Sequence, residues 1–190
     1  MIRHVVDRLI PHVDEFVINC RSDQRTAIGD AVADAPQDIQ FAIDPTPDQG
    51  PMAGIATGLS AIQRAPAAMI VACDMPFVEP SIVDVLFDSL GSADAVVPRI
   101  DGQWLETTHA VYRRKTMLAA CRAALDANED RIVHALDRLD VRILDEPAIE
   151  AHGSLESFEN INTVDELEAA ENRLADNGDD DTATRERSDT

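Results

Sequence analysis

The run Ala67-Ala68-Met69-Ile70-Val71-Ala72 carries no polar side chain, and Cys73-Asp74-Met75-Pro76 ends it. A run of this length suits a strand, and a strand without apolar–polar alternation is one buried on both faces. Such a strand needs helices above and below its sheet, which suits an α/β layer architecture. The chain supplies them. Ile2, Val5, Val6, Leu9 and Ile10 recur at helical spacing, so the chain starts in or beside a helix. Phe16-Val17-Ile18, Gln40 to Ile43, Asp94 to Pro98, Leu105 to Tyr112 and Val141 to Leu144 read as further strands. Helical patterns cover Ser22 to about Ala33, Met52 to Arg64, Ser81 to Leu90 behind Pro80, Lys115 to Leu125 and Arg131 to Leu136. This alternation predicts a three-layer sandwich around a mostly parallel, Rossmann-like sheet.

Thr163 and Glu166 stand at capping-box spacing, so a last helix opens at Asn162-Thr163 and runs to about Leu174. Beyond it the sequence is acidic and has nothing to bury, which predicts one domain over 1–175 and a disordered tail over 176–190. Aromatic residues make up only 4% of the chain, so Val, Ile, Leu and Ala must build the core. The net charge is −20 with a single lysine, Lys115, and no basic face offers itself to nucleic acid. That balance suits a protein of a salty, halophilic cytoplasm, where dissolved ions screen the self-repulsion. Cys20, Cys73 and Cys121 are too widely spaced for a disulfide framework or a zinc site. No apolar stretch reaches the ~20 residues of a membrane span, and no signal-peptide core is present, so a cytoplasmic location is expected.

Chemistry in open parallel sheets gathers beyond the carboxyl ends of the strands. The coarse reading puts Asn19, Asp44 and Asp74 there, although an aspartate at a strand end also serves as a turn or cap residue. Asp48-Gln49-Gly50-Pro51-Met52-Ala53-Gly54 is a glycine turn feeding a helix, a place where a nucleotide can approach backbone closely. Gly54 and Gly58, four apart, would equally make a smooth helix face for packing. His4, His12, His134 and His152 share no ligand spacing, while His109 falls nearer the expected pocket.

These stretches together, DQGPMAG, ACDMPFVEP, HAVY (109–112) and FENINTVDEL (158–167), resemble the molybdenum cofactor guanylyltransferase (MobA-like) family, in the same order from residue 1 to about 174. The resemblance implies transfer of GMP from GTP to molybdopterin phosphate, with pyrophosphate leaving. It implies that Asp74 is the catalytic Mg²⁺ ligand, since Mg²⁺ takes hard oxygen ligands from one or two carboxylates and leaves the rest to phosphates and water. It matches Asn19, Asp44, Gly50, Pro51, Ala53 and Gly54 to nucleotide-binding positions, and Asn160 and Asn162 to an asparagine pair on the molybdopterin side. Other proteins of molybdenum cofactor synthesis are implied as partners. A non-catalytic nucleotide- or cofactor-binding homologue, and a transferase using another NTP or phosphorylated acceptor, remain open alternatives.

The chain departs from the pattern in two places. Trp104-Leu105-Glu106-Thr107-Thr108 lacks the proline expected before HAVY, and Met1 falls after the family's opening strand and its GGxSxRMG loop. That strand lies mid-sheet in the family, so the resemblance implies a natural start upstream of Met1 and, without it, open backbone edges on two neighbouring strands.

Overall fold

The computed structural model describes residues 1–46 and 49–185, with side chains as far as residue 174. Helix α1 (Ile2–Leu9) leads through a short 3-10 turn to β1 (Phe16–Cys20), α2 (Arg25–Ala31) and β2 (Ile39–Ile43). Then come α3 (Pro51–Ala61), β3 (Ala67–Val71), α4 (Pro80–Ser89), β4 (Ala95–Ile100), β5 (Trp104–Leu105) and β6 (His109–Arg113). The chain closes with α5 (Arg114–Asp126), α6 (Ile132–Leu136), β7 (Val141–Asp145), α7 (Glu146–Glu150) and α8 (Val164–Arg185).

The strands form two groups. β1 pairs with β2 in parallel. In the larger sheet β6 lies antiparallel between β3 and β4, β7 runs parallel to β4, and β5 folds back on the end of β4. β3, β4 and β7 therefore share one direction and β5 and β6 oppose it, a reversal the sequence reading did not include. The expected strand from Leu105 to Tyr112 is interrupted between Leu105 and His109. A tight turn with Asp101 and Gly102 at φ of 51° and 68° folds β5 onto β4, and the Thr107 N–H turns back to the Leu105 carbonyl (3.0 Å).

Helices cover both faces, and the side chains of successive strand residues divide accordingly. Ala95, Val97, Ala110 and Tyr112 pack with Met52 and Leu59 of α3 and with Met117 and Cys121 of α5. Val96 and Val111 point the other way, to Ile82 and Leu86 of α4 and Ile149 of α7. Fully burying one such side chain contributes about 1.5–3 kcal/mol, so these two layers carry the fold. Tyr112 is buried with its hydroxyl donating to the Thr107 carbonyl at 2.8 Å, which removes the cost of an unpaired polar group.

α8 opens as the sequence predicts. Thr163 Oγ1 accepts the Glu166 N–H at 3.2 Å, and Glu166 Oε2 accepts the N–H groups of Thr163 (3.0 Å) and Asn162 (2.7 Å). The helix continues past the expected end at Leu174 to Arg185, so part of the tail anticipated as disordered is helical backbone; residues 186–190 lie outside the described residues. No helix among the described residues is long and apolar enough to cross a membrane.

Candidate nucleotide and metal site

Two groups of side chains form at the carboxyl ends of β1, β2 and β3. The first is built on Asn19, in β1. Its Nδ2 donates to the Ala42 carbonyl at 3.0 Å and to Asp44 Oδ1 at 2.7 Å. Both partners are acceptors, so they fix which end of the amide is which. Asp44 is held in turn by its N–H, which extends the β1–β2 ladder to the Cys20 carbonyl at 3.0 Å. Asn19 Oδ1 lies over Gly54 so closely that a Cβ there would sit 2.4 Å from it. Gly50 holds φ at 80°, a left-handed conformation that favours glycine, and Pro51 follows at the first turn of α3. Met52 turns inward and is fully buried, so of the GPMAG stretch it belongs to the core. Ala53 offers its carbonyl to Thr57 Oγ1 at 3.0 Å, inside the helix.

The second group surrounds Asp74. The Ala72 N–H donates to the Thr108 carbonyl at 2.9 Å, carrying the β3–β6 contact past the end of the ladder. Two residues on, the Asp74 carbonyl accepts the Ile161 N–H at 2.8 Å. Ile161 is buried, and the exposed Asn160 and Asn162 on either side of it are thereby held next to Asp74. Asp74 Oδ1 is itself buried and has no hydrogen-bond partner. An unpaired buried carboxylate oxygen costs about 1–3 kcal/mol or more, a cost that a bound cation would remove. Among the described residues no group of three His, Cys, Asp or Glu side chains forms a closed metal cage. A single available carboxylate oxygen fits a hard divalent ion that takes its remaining ligands from phosphate and water.

Sequence reasoning did not identify the contacts that hold the segment before Asn160 against the sheet. His109, at the start of β6, is fully buried, and burial pushes it down to about 3, so the imidazole is neutral. Its Nε2 lies 3.5 Å from Ser157 Oγ, and its ring centroid lies 4.4 Å from that of Phe158. Ser157 Oγ accepts the Glu79 N–H at 3.1 Å, and Glu79 Oε1 accepts the Ser154 N–H at 3.2 Å. This lattice docks the segment before Asn160 onto the strand that carries His109. Its partners lie 48 to 78 residues apart in the chain, so no local spacing could have shown it.

An α/β sheet with polar groups gathered at its strand ends, a glycine turn at a helix start and a lone available carboxylate has the form of a nucleotidyltransferase. The chain belongs to the MobA-like NTP transferase domain family, which it matches over residues 1–151. It is 43% identical over 175 residues to a protein of Natronomonas pharaonis named probable molybdenum cofactor guanylyltransferase, covering 92% of this chain and 85% of that one. A protein of Haloferax mediterranei with the same name is 36% identical over 173 residues, covering 91% of this chain and 80% of its own length. Among solved structures, the molybdopterin-guanine dinucleotide biosynthesis protein A of Archaeoglobus fulgidus superposes with a TM-score of 0.71 at 27% identity, covering 92% of this chain and 85% of that one. The halophilic character read from the acidic, lysine-poor composition accords with the first two relatives.

Proposed function

We propose that this chain transfers GMP from GTP to the terminal phosphate of molybdopterin. The observation that carries this reading is the buried, unpartnered Asp74 Oδ1 at the end of β3, tethered through Ile161 to Asn160 and Asn162. In the reaction an oxygen of the acceptor phosphate bonds to the α-phosphorus of GTP. The bond from that phosphorus to the bridging oxygen breaks, and its electron pair leaves with pyrophosphate.

Asp74 would hold Mg²⁺, and the ion would supply charge neutralisation on the phosphoryl oxygens. Asn19 and Asp44 select the base. Both amide hydrogens of Asn19 are committed, so Asn19 Oδ1 and the second oxygen of Asp44 remain as acceptors. Guanine presents adjacent N–H donors on its Watson–Crick edge and suits a pair of acceptors. Gly50, Pro51, Ala53 and Gly54 let the nucleotide approach the start of α3, and Asn160 and Asn162 face the molybdopterin side.

The test is Asp74→Asn, which keeps the shape, removes the charge and replaces one acceptor oxygen with an amide donor. Pyrophosphate release from GTP in the presence of molybdopterin and Mg²⁺ should fall at least a hundredfold while the circular dichroism spectrum stays the same. Turnover within a few-fold of the parent protein would remove Asp74 from the metal site.

A further inference from the structure

Asp74 and the asparagine pair come from segments far apart in the chain, and one face of α8 grips both. Glu166, Ala170 and Arg173 recur along that helix at the spacing of a single stripe. Near its start Glu166 Oε2 accepts the Asn162 N–H at 2.7 Å, which fixes the backbone just after Ile161. Ala170, with Leu167 and Leu174, packs against Ile161 and against Phe77, a buried residue of the loop that Asp74 opens.

Arg173 closes the arrangement from the other side. Its Nη1 donates to Glu159 Oε1 and its Nη2 to Glu159 Oε2, each at 3.0 Å, a parallel fork on the residue just ahead of Asn160. Nη2 also lies 3.0 Å from Glu156 Oε1. The guanidinium carbon stands 4.1 Å from the centroid of the Phe77 ring, a cation–π contact. One side chain therefore touches both the loop after Asp74 and the segment before Asn160. An isolated ion pair at a half-exposed position contributes little, but a forked pair joined to a second carboxylate and a buried ring is a network. Both terminal nitrogens of Arg173 are committed to glutamates, so it acts through them.

We propose that Arg173 is a positioning residue for the transfer: by pinning Glu159 against Phe77 it holds Asn160 and Asn162 at a fixed separation from Asp74, and so presents the acceptor to the nucleotide. The proposal rests on the reading above that these asparagines face the acceptor. The Ile161 N–H donates to the Asp74 carbonyl at 2.8 Å, and that bond by itself would let the segment pivot about Ile161. Contacts on either side, Glu166 with Asn162 and Arg173 with Glu159, remove that freedom. A shift of ~1 Å between reacting groups is enough to slow a transfer severely, so a clamp of this kind bears on the chemistry without touching it.

The test is Arg173→Gln in the full chain, beside Glu168→Gln, which removes a charge from an exposed position of the same helix. Amide hydrogen exchange at Ile161 should speed up about tenfold in the first variant and stay unchanged in the second, with the Ala110–Tyr112 amides of β6 as in the parent chain. The KM for molybdopterin should rise about tenfold in Arg173→Gln while the KM for GTP stays the same. Arg173→Lys, which keeps the charge without the planar fork, should recover only part of that loss. If Arg173→Gln does not fold, Glu159→Ala opens the same fork from its other side and the same readings are taken. Unchanged exchange at Ile161, or a KM that rises equally for both substrates, would overturn the proposal. The exchange measurement needs no substrate, so it decides the clamp separately from guanylyl transfer.

Discussion

Two glycines of equal standing in the sequence turn out to have different work. Gly54 lies under Asn19 Oδ1 with room for nothing larger than hydrogen, whereas a Cβ on Gly58 would make an ordinary 3.7 Å contact with the Asn19 Cβ. Gly54→Ala should therefore push Asn19 off its two acceptors and raise the KM for GTP about tenfold, roughly 1.4 kcal/mol. Gly58→Ala should instead raise stability by about 0.5–1 kcal/mol, the ordinary gain of alanine over glycine within a helix. Steady-state kinetics and denaturant titration separate the two, and equal effects on KM would contradict the assignment. The spacing of Gly54 and Gly58 was legible, but the difference between them depends on Asn19, which is brought close only by the β1–β2 pairing. His109 extends the residue-scale account to pH. Its folded value, about 3, lies below the usual 6.5, so the unfolded chain binds a proton that the native chain refuses as pH falls from 6.5 towards 3. Stability is lost across that window, and His109→Gln should flatten the loss in thermal melts taken between pH 7 and 4.

At the scale of elements, interactions local in sequence were readable and those closed over long distances were not. The box at the start of α8 needs only residues three apart, and the structure contains both halves of it. Thr163→Ala should cost about 1 kcal/mol, measured by chemical denaturation of the full chain. Glu15 is the opposite case, since its backbone partners lie 48 to 50 residues downstream. The N–H groups of Gln63, Ala65 and Arg64 hold the Glu15 carboxyl below its usual 4.5. A carboxyl depressed in the folded state stabilises above its unfolded value and loses that contribution as pH falls through the folded one. Glu15→Gln should remove this acid-linked part of the stability while leaving melts at pH 7 to 8 with the same pH slope. The reversed direction of β6 was equally hidden, because the strand pattern gives burial and not polarity of the chain.

For the whole molecule, layer order and the placement of Asn19, Asp44 and Asp74 at strand ends followed from short apolar runs ending in polar residues, since a doubly buried strand admits few architectures. What the pattern could not give is the division of the strands into two groups among the described residues, or the Glu15 contacts that join the start of β1 to the start of β3. The net charge of −20 adds a bulk property: self-repulsion falls as salt screens it, so the melting temperature should rise with KCl between 0.1 and 2 M. A melting temperature that falls over that range would contradict the halophilic reading. Guanylyl transfer is tested most directly by the product. The chain is incubated with Mg²⁺, molybdopterin and an equimolar mixture of GTP, CTP and ATP. Mass spectrometry should find molybdopterin carrying one guanylyl group, with one pyrophosphate released per product. Molybdopterin left unmodified, or carrying cytidylyl or adenylyl groups in preference, would contradict it.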